Sequence, residues 1–269
     1  MEAEQASGRA NVPDPTVSKV TFTDIGLALA SAVADFRAAP GVSIVIALVY
    51  TLGGWLLAAL LLIFRLPFLV YPVAMGFALV APFVAVAFYD VSRSLAAGEP
   101  PTVVKAWCAV CDAKNSDIRW MALITSFAFF LWMDIAAMIT LSFFGAAALD
   151  LGELLQQIGT TTHGWMFLIV GHVIGAAIAL LVFSISVISM PMLFDRDIDV
   201  VTAMRTSVRV VTTSPLVLAA WCATIAVSML ASIATGLLLL PVVLPILGYA
   251  SWHLYRRVAV PHSSGTITS

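Results

Sequence analysis

Trp107-Cys108-Ala109-Val110-Cys111 is a C-x-x-C pair preceded by tryptophan, the residue pattern of a dithiol redox centre. That chemistry needs a βαβ setting that lowers the thiol pKa. Here the cysteines fall on one apolar face of a short helical stretch, where cysteine behaves as a small hydrophobe. No second C-x-x-C and no adjacent histidine completes a zinc set. The histidines His163, His172, His253 and His262 are scattered along the chain. His172 alone is placed for a haem ligand, but a lone intramembrane histidine more often serves packing through a hydrogen bond. Asp134 is the carboxylate that lies well inside an apolar run. Charge at that depth costs about 2.5–3.5 kcal/mol on insertion scales, so Asp134 reads either as functional or as a lock between helices. Counted from outer boundaries near Gly145 and Gly164, Asp134 and His172 lie at depths about 5 Å apart. The two are therefore expected to meet as an intramembrane polar pair. No nucleotide loop, Gly-x-Ser-x-Gly elbow or His-Glu-x-x-His helix is present. The expectation is a non-enzymatic protein with no cofactor, no metal and no catalytic residues.

The elements that hold these residues are long apolar runs. The 269 residues are 61% hydrophobic and 10% charged, where a soluble domain carries about 25% charged residues. Lipid is the solvent for such a chain. Runs over 41–64, 66–89, 120–144, 164–194, 215–235 and 236–255 each suffice to cross a bilayer. Lys and Arg divide by side. Arg9, Lys19 and Arg37 precede the first run; Arg93, Lys105, Lys114 and Arg119 share one connection; Arg196, Arg205 and Arg209 share another; Arg256 and Arg257 close the last. Arg65 alone falls on the other side. This bias places both termini in the cytoplasm, and it requires an even number of crossings between Arg209 and Arg256. Residues 1–20 and 258–269 are expected to be disordered cytoplasmic tails around one membrane domain, 21–257. The polar start has no short apolar core with a small-residue cleavage site, so no cleaved signal peptide is expected.

The connections have a pattern of their own. Residues 21–36 place Phe22, Ile25, Leu29, Val33 and Phe36 on one helical face, with Thr21 and Asp24 spaced as a capping box. Residues 101–111 do the same with Val104, Trp107, Cys108 and Cys111. Residues 197–211 do so with Val201, Met204, Val208 and Val211, flanked by Arg205 and Arg209, which are expected to reach lipid headgroup phosphates. Pro40 and Pro215 mark the same place, before a run. Pro82, Pro191 and Pro241 with Pro245 interrupt the second run of each unit. Each unit closes on an aromatic beside a charge: Tyr89-Asp90, Phe194-Asp195 and Tyr255-Arg256. The fold class is thus all-α: a polytopic protein of six transmembrane helices in three pseudo-repeats, each an interfacial amphipathic helix plus a helical hairpin. Gly171, Gly175 and Ala179, the pair Gly54 and Ala58, and Ala74, Ala78 and Ala81-Pro82 are small-residue rows that let helices approach closely.

Ala81-Pro82-Phe83, Phe88-Tyr89-Asp90-Val91-Ser92-Arg93 and Gly98-Glu99-Pro100-Pro101 resemble the signature of a family of predicted bacterial integral membrane proteins, a domain of unknown function. Ala203 to Pro215, with Ser207 and Ser214-Pro215, is similar to it too. A looser similarity in layout extends to the membrane domain of some glycerophosphodiester phosphodiesterases, whose soluble catalytic domain has no counterpart here. The resemblance implies a six-span inner-membrane protein and no assigned substrate. Two functions compete. One is a scaffold, assembly or lipid-organising module whose partners are membrane lipids and a membrane protein or second copy, not nucleic acid. The other is a small transporter or channel using Asp134 and His172.

Overall fold

The computed structural model describes residues 18–111 and 116–259. The expected tails fall almost wholly outside these residues, as do Arg9, Lys114, His262 and the side chain of Cys111. Among the described residues there is no strand. The helices are α1 (Phe22–Ala38), α2 (Pro40–Ile63), α3 (Val70–Ala96), α4 (Val103–Cys111), α5 (Ser116–Phe144), α6 (Leu151–Thr160), α7 (Thr162–Ser186), α8 (Ser189–Asp195), α9 (Val200–Thr213), α10 (Pro215–Ala234) and α11 (Leu240–Ala259).

The capping box is formed. The backbone N–H of Thr21 donates to Asp24 at 2.9 Å and that of Asp24 donates to Thr21 Oγ1 at 3.3 Å, which satisfies two orphan donors at the start of α1. Helices α1 and α9 end in the same way. Ala39 lies at φ −136°, ψ 57° and Ser214 at φ −134°, ψ 58°, each followed by a proline that opens the next helix. Proline pushes its predecessor out of the helical region but is tolerated at the first helical position. The chain therefore turns at each junction without losing a hydrogen bond to the ring.

Four stretches are long and apolar enough to cross a membrane: Pro40–Ile63, Asp117–Leu149, Thr162–Asp195 and Pro215–Ala234. Only 6–22% of their most apolar stretch is buried, so most of this surface faces lipid. The pair Pro67–Phe77 and Ala81–Ala96, bent by 41°, passes only when taken together as one span; at the bend Pro82 leaves the Ala78 carbonyl without its helical partner. Helix α11 is less apolar than these, yet it is wrapped by the rest of the chain. Leu244, Leu247, Tyr249, Ala250, Trp252, Leu254 and Tyr255 are all buried.

The run 164–194 lies within one candidate span, Thr162–Asp195, which breaks between α7 and α8. Pro191 cannot donate to the Val187 carbonyl. Ser207 of α9 also inserts into the ladder: its Oγ accepts from Ile188 N at 3.2 Å and donates to Ser184 O at 2.8 Å. Those two backbone groups would otherwise bond each other, and a side chain placed between them breaks a helix. The connection 145–163 has structure of its own. It forms a 3₁₀ turn, Gly145–Leu149, and then α6. Asp150 caps α6, accepting from Glu153 N at 2.9 Å, and Leu154 is buried beneath it.

The best-packed part of the molecule lies at the charged end. Val84 to Tyr89 with Val91, Ile188, Met190, Met192 and Leu193, and the α11 residues above form one continuous core with Ile25, Ala28 and Ala32 of α1. The amphipathic helices turn small residues inward. Ala106 of α4 and Ala203, Thr206, Ser207 and Val210 of α9 are buried, while Val104, Trp107, Val201 and Val208 stay exposed.

Candidate functional site

The three aromatic ends named above, far apart in sequence, converge. Tyr89 stacks on Trp252 at 5.7 Å between ring centroids, and Phe194 meets both Tyr89 (6.0 Å) and Trp252 (5.7 Å). Tyr255 lies 5.7 Å from Trp252, and its hydroxyl donates to Asp195 at 2.7 Å. Arg93 donates to Asp90 at 2.8 Å and places its guanidinium 4.4 Å above the Phe194 ring. Arg256 lies 3.9 Å from Asp195 and 5.9 Å from the centroid of Trp252. Asp90 is only 2% exposed; an acid buried that far requires such a partner. The ends of α3, α8 and α11 are thus locked by stacked rings with charge pairs at their rim.

Helix α1 joins this cluster through Asp35. Ser92 Oγ donates to Asp35 Oδ2 at 2.6 Å, His253 Nε2 lies 2.8 Å from the same oxygen, and Ser92 lies 3.4 Å from His253. Serine, histidine and aspartate therefore meet, but not as a nucleophile relay. A relay needs the carboxylate on one ring nitrogen and the serine hydroxyl donating to the other. Here serine and imidazole converge on one carboxylate, an arrangement that ties α1 to α3 and α11. Tyr249 and Ser43 share a further hydrogen bond at 2.6 Å, which joins α11 to α2.

A second feature lies toward the outer ends of α2, α3, α10 and α11. It is a cavity of about 470 Å³ with an almost wholly apolar lining that includes Tyr50, Gly53, Ala58, Ala74, Phe77 and Ile233. The Trp55 indole donates to Gly236 O at 2.7 Å at its edge. A Cβ at Gly54 would lie 2.9 Å from Leu237 Cδ1, so that side chain would have to shift. Of the small residues expected to pack helices, Gly54, Ala58 and Ala74 all line the cavity. Gly175 lies under Trp132, with a would-be Cβ 2.9 Å from the ring, whereas Gly171 faces open space. Ala179 is half-buried.

Asp134 and His172 are not brought together as a hydrogen-bonded pair. The carbonyl of Leu168 lies 2.7 Å from His172 Nδ1, so that nitrogen donates; Nε2 then accepts from Tyr71 OH at 2.9 Å. Asp134 is exposed and makes no hydrogen bond or ion pair among the described residues. Trp132 explains why. Its indole donates to Pro72 O at 2.8 Å, and its ring fills the gaps over Gly76 and Gly175, so it points at α3 and α7. Two residues further along, a helix has turned about 200°, and Asp134 points away from both. His163 lies at the outer rim, 6.4 Å from the Phe143 ring centroid. Cys108 is a free, exposed thiol, and no set of three or more metal-ligating side chains occurs among the described residues.

Arg205 and Arg209 are exposed on α9 and flank a shallow groove walled by Ile185, Val201, Met204 and Val208. Asp199 caps α9. Its side chain accepts from Thr202 N at 2.9 Å, and the hydrogen bonding from Thr202 holds its carboxyl below the usual value. Asp117 accepts from Val200 N at 3.3 Å and ties α5 to the same helix start. The aromatic cluster was written in the sequence as three similar endings. Trp132 and the interhelical role of Ser207 carried no sequence signal of their own.

No curated protein and no solved structure matches the chain. Residues 70–195 run from the start of α3 to the end of α8 and contain two of the three converging ends; that stretch matches the model of a family described as predicted integral membrane protein (DUF2189).

Proposed function

We propose that this is a non-enzymatic, lipid-organising protein of the bacterial inner membrane, with six crossings and both termini in the cytoplasm. The apolar cavity among α2, α3, α10 and α11 carries the reading. Its volume of about 470 Å³ lies within the roughly 300–1,000 Å³ of ligand pockets. Its walls belong to membrane-crossing stretches, and it offers almost nothing to hydrogen-bond. The acyl chain of a membrane lipid is the occupant such a lining takes. Exposed Arg205 and Arg209 at the inner surface supply headgroup contacts at a separate place.

The six-crossing arrangement has three supports. Helix α11 spans about 30 Å at 1.5 Å per residue, and its burial removes the need for an apolar exterior. The Ala39 and Ser214 junctions share one geometry, as two units of a repeat would. The three aromatic endings meet in one cluster around Trp252. Transport finds less support, because Asp134 and His172 face different neighbours.

Lipid retention tests the reading. Full-length protein is extracted in mild detergent and its bound lipids are weighed by mass spectrometry of the intact complex. Gly53 lines the cavity, and a Cβ there meets nothing within 4 Å, so Gly53→Leu starts its side chain in open space. The expected result is a co-purifying lipid whose retention falls at least about tenfold in Gly53→Leu, a change of about 1.4 kcal/mol. Equal retention in both proteins overturns the proposal.

A further inference from the structure

We infer that the outward face of α5 is the contact between two copies of this chain, centred on Asp134. The opposite face of α5 buries Met121, Thr125, Ala136 and Thr140. The outward face carries Leu123, Phe127, Leu131, Met138 and Leu141, each 43–66% exposed. Asp134 sits in the middle of that row. The spacings of three and four residues are those of a seam between helices.

An apolar stripe by itself asks only for lipid. A carboxyl in the stripe asks for more. Acyl chains hold no group that can donate to it or accept from it, and Asp134 makes no hydrogen bond or ion pair among the described residues. Its partner must come from another molecule at the same depth in the membrane.

A second copy meets that condition without any further residue. All copies insert with the same orientation, because the same Lys and Arg bias directs each. A two-fold axis along the membrane normal then brings identical residues together at identical depth. Asp134 faces the partner's Asp134. One carboxyl O–H donates to an oxygen of the other carboxyl, and one shared proton serves the pair. Hydrogen bonds of this kind hold transmembrane helices together. The contact is independent of the lipid cavity, which lies among α2, α3, α10 and α11.

The test reads self-association of the full chain. In a background with Cys108, Cys111 and Cys222 changed to serine, single cysteines are introduced as Leu131→Cys or Met138→Cys and cross-linked by mild oxidation in native membranes. Ile169→Cys, on the exposed face of α7 (63% exposed), serves as the control. Dimer is expected at 131 and 138 at about fivefold or more above 169, and Asp134→Leu should lower it about fivefold or more. Asp134→Asn should retain it, since an amide both donates and accepts. Fluorescently tagged protein in vesicles should bleach in two steps. Equal cross-linking at all three positions overturns the inference, as does an Asp134→Leu variant that inserts normally and still forms the dimer. Single-step bleaching also overturns it, including the case in which position 138 cross-links to a different protein in native membranes.

Discussion

The charged end of the molecule and its middle solve opposite problems. At the charged end the rings of Tyr89, Phe194, Trp252 and Tyr255 pack together, and their charged neighbours Asp90, Arg93, Asp195 and Arg256 are paired. In the middle, α5 and α7 present Phe127, Phe130, Ile169 and Val173 to the outside, each 63–66% exposed. Lipid gives no hydrophobic drive to bury an apolar side chain. Stability has to come from places where water reaches the unfolded chain or where polar groups must be satisfied. The comparison assigns the fold's strength to the aromatic cluster and leaves the spans held by a few specific contacts.

The strongest way to break the comparison is to truncate one large side chain on each side. Trp252 is 4% exposed and touches three other rings, so Trp252→Ala should cost about 3–5 kcal/mol. Ile169 of α7 is 63% exposed and lies away from the contact inferred for α5, and Ile169→Ala should cost under about 0.5 kcal/mol. Reversible unfolding in mixed micelles measures both. Equal losses would mean that the spans contribute as much as the cluster.

Ser207→Ala comes next. It leaves both Ile188 N and Ser184 O without a hydroxyl partner at the break between α7 and α8. Each stranded buried group costs about 1–3 kcal/mol, so a loss of roughly 2–4 kcal/mol is expected. The amide of Ile188 should also gain hydrogen-exchange rate. If the break closed into a continuous helix instead, Ile188 would become more protected, and Pro191 alone would be insufficient to cause it.

The small-residue row sharpens the comparison within the membrane itself. Gly175→Ala places a methyl 2.9 Å from the Trp132 ring and should cost about 1–3 kcal/mol through overpacking. Gly171→Ala meets nothing within 4 Å and should be neutral or slightly stabilising, since alanine is the better helix former. Thermal melts of the two variants in one detergent separate them. Similar melts would show that Trp132 yields easily and that its position between α3, α5 and α7 is not a constraint.

These contrasts show what the sequence made legible. Capping at Thr21, the prolines at 40 and 215, and four of the apolar runs are local signals, and each became the element it indicated. The endings Tyr89-Asp90, Phe194-Asp195 and Tyr255-Arg256 were visible as a pattern, but their meeting was not, because it depends on how helices far apart in sequence pack. The facing of α5 was hidden for a different reason. A helix apolar on every side has no amphipathic phase, so depth could be counted for Asp134 and His172 while rotation could not. Trp132 fixed that rotation. Helix α6 was hidden by its position, a short amphipathic stretch between two far stronger apolar runs.

Asp199 gives the smallest expected effect and tests whether the charged end outside the cluster adds stability at all. Its side chain caps α9 by accepting from Thr202 N at 2.9 Å, and replacing such a cap with alanine costs about 1 kcal/mol. The Asp199 carboxyl is held below its usual value, mainly by the hydrogen bonding from Thr202. A carboxyl lowered on folding binds its proton more weakly in the folded chain than in the unfolded one. Its contribution is therefore complete above the unfolded value of about 3.9 and is lost as pH falls through the lower folded value. The difference in stability between the wild-type protein and Asp199→Ala should hold steady from pH 7 to about pH 5 and shrink below about pH 4. Unfolding curves across that range measure it. A difference that stays constant down to pH 3 would mean that the carboxylate charge adds nothing and the cap acts only through shape. A difference near 3 kcal/mol would place as much strength in one exposed helix start as in a ring of the buried cluster, and would collapse the distinction between them.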